Sequence, residues 1–328
     1  MSGARPPEAA NPPVGDGRGL HRGQGGQLSN RARLAARLRS PGLVSAPGIY
    51  DMISARIADR AGFECLYMTG YGVVASHLGL PDAGIATYSD MVGRVAQFAR
   101  TVTTPFIADA DTGYGGLLNV RETVRGYESA GACGIQIEDQ EFPKKCGHML
   151  GRRVIPTADM VAKVRVACDS RSDRDMLVVA RTDARTTLGL DEAMRRAEAY
   201  LRAGADVLVV ESPETVEEMA RIGRAFAGVA LVANMVEGGR TPLLDAATLE
   251  SLGFRLAIFP GLGFLAAAAA LESAYGELKA AGSTQGLRTP VYPFAKMGAL
   301  MGFDAIAEFD KRYRGLDGEA EVASRKES

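Results

Sequence analysis

The sequence predicts an α/β fold in which eight strands, each followed by a helix, close into a TIM-type (β/α)8 barrel. Three observations predict it. Eight short runs are apolar along their whole length, which means burial on both faces, as in a parallel sheet covered by helices. Each run is followed by a stretch with helical hydrophobic spacing. The unit recurs about every 25 residues, which suits eight units in a barrel of ordinary size. An open doubly wound sheet is the alternative. It calls for a glycine fingerprint after the first strand, and Ala46-Pro47-Gly48 is not one.

Taken in order, residues 1–28 are rich in Pro, Gly and Ala and bury too little apolar surface to offset ordering, so a disordered tail is expected. A single catalytic domain with C-terminal helices is drawn over 29–314, and a charged tail over 315–328. Residues 28–38 read as an amphipathic helix. The first strand covers 43–46 and stops at Pro47-Gly48. A helix over 51–61 ends at Gly62. The second strand covers 65–68, and a long loop runs from Thr69 to Thr87. Ser89 is placed as the N-cap of a helix reaching Thr101. The remaining strands are read at 105–108, 134–137, 176–180, 206–210, 229–233 and 256–259. The helices between them cover 119–130, 157–170, 190–203, 215–226 and 245–252. A long helix covers 263–281, and a further helical stretch covers 295–313.

The chain has 328 residues, 46% of them hydrophobic, enough to fill a large core. A net charge of −1 gives no reason to expect nucleic acid or an anionic membrane as partner. No apolar run is long enough to span a bilayer. Cys65, Cys133, Cys146 and Cys168 are widely spaced, which argues against a disulfide framework and a thiolate zinc site. Cys65 and Cys133 read as core residues and Cys168 as part of a helix. No secretory h-region is visible, so a cytoplasmic location is expected.

In a barrel the chemistry collects where strands end at their C-termini. Those ends carry Thr69 and Gly70, Asp109 and Asp111, Glu138 and Asp139, Arg181 and Asp183, Glu211, and Asn234. Polar strand ends are ordinary, but acids after several strands and an arginine after another point to one shared site. Asp109, Asp111 and Glu138 form an oxygen-rich cluster. Such carboxylates repel unless protonated or neutralised by a cation, and Mg2+, or Mn2+, is the natural occupant. Zinc is not expected, with only His77 and His148 left as imidazole ligands. Arg181 suggests an anionic substrate bound by its guanidinium fork, or a structural ion pair with Glu211 or Asp183. Cys146 lies in Lys144-Lys145-Cys146-Gly147-His148, where neighbouring positive charge tunes its thiol. The long polar loop from Gln140 to Val154 that carries it reads as a lid over the barrel mouth.

Four segments in this order, Asp109-x-Asp111-x-Gly113-Tyr-Gly115, Ile137-Glu-Asp-Gln140, Lys144-Lys-Cys-Gly-His148 and Ala180-Arg-Thr-Asp-Ala184, resemble the isocitrate lyase/phosphoenolpyruvate mutase superfamily. The resemblance covers residues 45–313. It implies a barrel whose C-terminal helix is swapped with a neighbour, usually in a homotetramer, and Mg2+-dependent chemistry through an enolate-like species. The Cys-Gly-His form resembles the carbon–carbon lyases of that superfamily. There the position of Cys146 is the general acid, and those of Lys145, Gly147 and His148 meet the substrate's anionic end. The resemblance further aligns Thr69, Gly70, Tyr71, Asp82, Arg181, Glu211 and Asn234 with substrate-contacting or nearby positions.

Departures from the pattern limit the substrate. Lyases of tricarboxylates carry Asn-x-Thr after strand seven and an arginine after strand eight, where this chain has Asn234-Met235-Val236 and Leu265. A third carboxylate would lack a partner, which is costly in a closed site. Residues 233–242 and Pro260 look like the branch holding the dimethylmalate lyases, the petal death protein and the oxaloacetate hydrolases. The hydrolases tend to carry serine at the position of Pro260.

The expectation is therefore a carbon–carbon lyase that cleaves a 2-alkylmalate or dimethylmalate into a 2-oxo acid and a saturated carboxylate. Oxaloacetate acetylhydrolase, methylisocitrate lyase and carboxyphosphonoenolpyruvate phosphonomutase-type activities stay open. So does a catalytically silent barrel that only binds a dicarboxylate.

Overall fold

The computed structural model describes residues 28–314 apart from His148 and Leu150. The two tails, save Leu28, and His148 thus lie outside the described residues. Eight parallel strands close in strict sequence order. They are β1 (Val44–Ile49), β2 (Leu66–Met68), β3 (Phe106–Asp109), β4 (Gly134–Glu138), β5 (Leu177–Thr182), β6 (Val207–Val210), β7 (Ala230–Asn234) and β8 (Leu256–Phe259). The barrel closes through β1 and β8, paired from Val44 opposite Leu256 to Pro47 opposite Phe259.

The alternation of side chains along each strand places the site. Ala46, Tyr67, Ile107, Val179, Val209, Val232 and Ile258 fill one buried cluster inside the barrel. Two residues further on, in the same inward register, stand Thr69, Asp109, Arg181, Glu211, Asn234 and Pro260. The first helix, α1 (Asn30–Arg39), contributes Leu34, Ala35 and Leu38 to this interior cluster. Cys65 and Cys133 belong to it as well, as core residues.

The outer layer has caps that match its sequence. Helix α2 (Met52–Arg60) starts with a reciprocal capping box between Asp51 and Ser54. Between β2 and β3 lies a helix the sequence reading did not contain, α3 (Gly70–Leu78). Its glycines mask the helical pattern, yet Thr69 caps it, Val73 and Val74 bury beneath it, and Gly79 ends it in the left-handed conformation. Helix α4 (Tyr88–Thr101) is capped by Thr87 rather than Ser89, because Asp90 completes a capping box with Thr87. Then follow α5 (Leu117–Ala130), α6 (Thr157–Ser170), the short α7 (Arg185–Leu188), α8 (Leu190–Arg202), α9 (Val216–Ala225), α10 (Ala246–Ser251) and α11 (Leu262–Ala281). Strand β1 continues past Pro47, because its pairing passes there from β8 to β2, and a missing N–H is tolerated at such a break.

The domain drawn over 29–314 divides after Ser283 into two compact units. Gly282 closes α11 with a left-handed cap, and Gly286, Pro290 and Pro293 follow. The second unit holds α12 (Phe294–Met301) and α13 (Phe303–Tyr313), with Gly302 breaking the single stretch expected there. No helix among the described residues is long and apolar enough to cross a membrane.

Candidate active site at the C-terminal rim

A cleft of about 520 Å³, partly open to solvent, lies at the C-terminal ends of the strands. It brings together Thr69, Tyr71, Asp82, Asp109, Glu138, Cys146, Gly147, Arg181, Asn234 and Pro260, as the sequence reading proposed. Gly70 opens α3 so close to the Asp109 carboxylate that a Cβ there would meet Oδ2 at 2.6 Å.

Arg181 organises the cationic side. Its Nε and Nη2 donate to Oδ2 and Oδ1 of Asp183, both at 2.9 Å. Nε also lies 3.4 Å from Glu138 Oε2, and Nη1 lies 3.5 Å from Glu211 Oε2. Glu211, fully buried, accepts from Asn234 Nδ2 at 3.1 Å and 3.2 Å. That bond fixes the amide, so Asn234 turns its oxygen elsewhere, and this buried Oδ1 has no protein partner. Asp183 is the coolest carboxylate of the group. Burial pushes it up, but Arg181 and then Arg152 outweigh burial and hold it below its ordinary value.

The acidic side behaves in the opposite way. Burial raises Asp109, with Lys144 and Arg181 only partly offsetting it, and pushes Asp111 up to about 6. Glu138 is pushed well above its usual range by burial despite Arg181. Asp111 lies past the strand end at φ 47°, and its backbone N–H donates to Asp109 Oδ1 at 3.1 Å. The Lys144 ammonium joins Asp111 Oδ1 at 2.7 Å and also pairs with Asp82. Among the described residues Asp109, Asp111 and Glu138 do not converge on one point, since Lys144 draws Asp82 and Asp111 to itself. The expected ligand trio is therefore adjacent but not assembled. The donors still fit a hard divalent cation. They are all oxygen, they outnumber the local cations, and Glu138 Oε1 is buried without a partner.

The lid lies over this cleft. The Gln140 side chain grips the Lys145 backbone from both sides, accepting from its N–H at 3.0 Å and donating to its C=O at 2.8 Å. Ser212 Oγ donates to the Gly147 carbonyl at 3.1 Å. Of the two adjacent lysines, Lys144 is buried in the site, while Lys145 is exposed and donates from Nζ to Gly151 O at 3.2 Å. The sequence reading gave Lys145 a substrate contact, whereas here Lys144 lines the cleft and Lys145 does not.

The opposite wall is apolar: Val236, Ile258, Pro260, Gly261 and Phe264. Phe264, on α11, packs edge-on against Tyr71 with ring centroids 5.1 Å apart. No lysine or arginine besides Lys144 and Arg181 lines the cleft among the described residues.

The phosphoenolpyruvate phosphomutase family model matches residues 34–279 of this sequence, which includes every strand of the barrel and the whole lid. The chain belongs to that family. It is therefore a member of the isocitrate lyase/phosphoenolpyruvate mutase superfamily of lyases and mutases. It is 46% identical over 286 residues to a 2,3-dimethylmalate lyase of Eubacterium barkeri, covering 87% of this chain and 99% of that one. Its fold is similar to an oxaloacetate acetylhydrolase solved with 3,3-difluorooxalacetate, with a TM-score of 0.82 and 35% identity, covering 88% and 98% of the two chains. A phosphonopyruvate hydrolase solved with oxalate and Mg2+ aligns with a TM-score of 0.79 and 29% identity, covering 87% and 99%.

Within this family member, sequence reasoning missed Tyr67, Phe264 and Arg152 as parts of the site's frame, and it named Lys144 without giving it a role there; the ion pairs of Arg181 with Asp183 and Glu211 are ones it had offered. Tyr67 was legible in principle, because it stands two residues before Thr69 in the inward register. Its hydroxyl accepts from Gln136 Nε2 at 2.8 Å across the barrel.

Proposed function

We propose that this chain is a Mg2+-dependent carbon–carbon lyase that cleaves a 2-hydroxy dicarboxylate of the 2-alkylmalate or dimethylmalate type. The products are a 2-oxo acid and a saturated carboxylate. The observation that carries the reading is the two-sided cleft: Arg181, the acids and the Cys146 thiol face a wall of Val236, Ile258, Pro260 and Phe264 that offers no cation. An alkyl-bearing substrate suits that wall, whereas a third carboxylate would be left unpaired there. The 2,3-dimethylmalate lyase relative supports the same choice.

Asp109, Asp111 and Glu138, with Asp82 beside them, are the groups that would hold the metal, in part through water. When bound, Mg2+ would supply Lewis-acid polarisation to the substrate's oxygens. Arg181 binds the substrate anion and offsets the charge that develops on oxygen. The 2-hydroxyl would pass its proton to a cleft carboxylate, the C2–C3 bond would break, and the electron pair would pass to C3 as an enolate. Cys146 gives its proton to that carbon. The lid, held by Gln140 and Ser212, carries the thiol into the cleft. The test is one panel: Mg2+ with dimethylmalate, 2-alkylmalates, methylisocitrate, oxaloacetate and phosphonopyruvate, detecting keto acid or oxalate. Turnover confined to methylisocitrate or phosphonopyruvate would sink the reading.

Mg2+ affinity is expected to rise with pH as the cleft carboxylates ionise. Burial pushes Asp111 up to about 6 and raises Asp109 and Glu138 as well, so at low pH protons must leave before these carboxylates can serve a cation. Calorimetric titration at pH 5, 6 and 7.5 checks this, and an affinity flat across that range would contradict it.

The oxaloacetate acetylhydrolase neighbour favours hydrolysis as the second reading. Pro260, in the cleft wall, offers no hydroxyl to a water nucleophile. Pro260→Ser is expected to raise oxalate release from oxaloacetate relative to alkylmalate cleavage by about tenfold, the effect of one added hydrogen bond. The ratio of the two rates in one enzyme preparation checks it.

The further proposal is a cytoplasmic homotetramer formed by exchange of C-terminal helices. The support is apolar exposure: α11 buries no residue and exposes Leu262, Leu265, Leu271, Tyr275 and Leu278. Helix α13 likewise exposes Phe303, Ile306 and Phe309. Such faces mark association surfaces, and the buried, unbridged Cys65, Cys133 and Cys168 suit a reducing compartment. Light scattering coupled to size exclusion is expected to give four chains per particle.

A further inference from the structure

Arg152 is the largest side chain buried completely among the described residues. It lies on the return leg of the lid, just beyond the Cys146–Gly147 tip. Its Nη1 donates to Asp183 Oδ1 and its Nη2 to Thr186 Oγ1. Its Nε is buried with no partner. Asp183 receives Arg181 through both of its oxygens, so one buried carboxylate is gripped by two guanidinium groups.

A wholly buried cation is a costly way to fill space, and an apolar residue of similar volume would pack as well. What Arg152 adds is electrostatic and directional. Arg181 faces three carboxylates at once: Asp183, Glu138 and Glu211. If Asp183 had no second cation, Arg181 would carry its whole charge, and less of the guanidinium's field would reach a ligand. Arg152 also fixes the plane of the Asp183 carboxylate, and the two 2.9 Å bonds then fix the plane of Arg181.

We propose that Arg152 is a positioning residue that acts through Asp183, holding Arg181 aimed into the cleft with its charge available to a substrate carboxylate or developing oxyanion. The proposal rests on Arg181 being the anion contact of the functional reading above. Because Arg152 is part of the lid's return leg, it also ties the seating of the lid to the orientation of Arg181.

Two variants and one probe test it. Arg152→Gln keeps hydrogen-bonding capacity but removes the charge, and Arg152→Lys keeps the charge. Oxalate binding is measured by calorimetry with Mg2+ present, beside thermal unfolding and the kcat and KM for the alkylmalate that the wild type cleaves. Arg152→Gln is expected to lose about 10- to 100-fold in kcat, the usual cost of losing a group that orients a site residue. Oxalate should bind more weakly to it, and Arg152→Lys should recover part of both losses. The double variant Arg152→Gln/Asp183→Asn should lose no more than Asp183→Asn alone, because both changes act along one path.

Wild-type kcat and oxalate affinity in Arg152→Gln would overturn the proposal. So would fully additive losses in the double variant, or losses in both single variants that vanish once activity is expressed per folded molecule. A wild type that cleaves no 2-hydroxy dicarboxylate defeats the functional reading alone, because the oxalate affinities still test Arg152. A wild type that binds no oxalate defeats the Arg152 proposal, since it leaves Arg181 with no anion to meet.

Discussion

Cys146→Ala is expected to lower kcat by about 10²- to 10⁴-fold, the span seen when a positioned proton donor is removed. That corresponds to roughly 3–5 kcal/mol of transition-state stabilisation. The reason is local. The thiol lines the cleft, where on the proposed mechanism it protonates the C3 enolate, and a methyl group in its place has no proton to give. The change leaves the Lys144 bridge to Asp82 and Asp111 and the Ser212 bond to Gly147 in place. Binding of Mg2+ and oxalate should therefore persist while turnover collapses. Steady-state kinetics beside calorimetry separates the two, and near-normal turnover in Cys146→Ala would remove the thiol from the mechanism.

Gly147→Ala is expected to cost about 10²-fold in kcat, although it adds a single methyl group. A Cβ at this position would stand 2.1 Å from Arg181 Nη2 and 3.1 Å from Glu211 Oε1. Arg181 cannot swing aside, because its Nε and Nη2 are both committed to Asp183. The lid must lift instead, which stretches the Ser212 bond and carries Cys146 away from the reacting carbon. A displacement of about 1 Å at a reacting group is enough for a loss of that size. The barrel core is untouched, so the unfolding temperature should hardly move, while the segment 141–151 becomes easier to cleave by protease. Wild-type kcat together with wild-type protease resistance would show that the lid does not seat against Arg181.

The two variants read different parts of the same five-residue run, and that run shows where sequence reasoning succeeds and stops. The composition of Lys144–Gly147 marked a lid with a reactive thiol, and Cys146 and Gly147 do line the cleft. Which lysine points inward was not legible. Lys144 and Lys145 are chemically identical neighbours, and only the Gln140 grip on the Lys145 backbone and the acids under Lys144 distinguish them. The stretch from Thr69 to Thr87 was read as loop because Gly70, Gly72 and Gly79 interrupt the helical pattern. Burial of Val73 and Val74 against the barrel stabilises α3 regardless, as tertiary contacts often do over weak propensity. The acids were visible as a cluster, but Asp111 reaches Lys144 only because the chain turns through a positive φ there.

The sequence by itself determined a parallel sheet covered by helices, because continuous apolar strands are buried on both faces there, and eight units with no glycine fingerprint after the first pointed to a closed barrel. It also determined the ring of polar strand ends, since side chains alternate along a strand and residues two beyond an interior position must point the same way. Only the tertiary structure decided how the charges pair. Arg181 is shared among Asp183, Glu138 and Glu211, Arg152 stands behind Asp183, and Lys144 spans Asp82 and Asp111. Apart from the Arg181–Asp183 pair, these partners lie far apart in the chain, and their distance and burial are encoded by no local pattern.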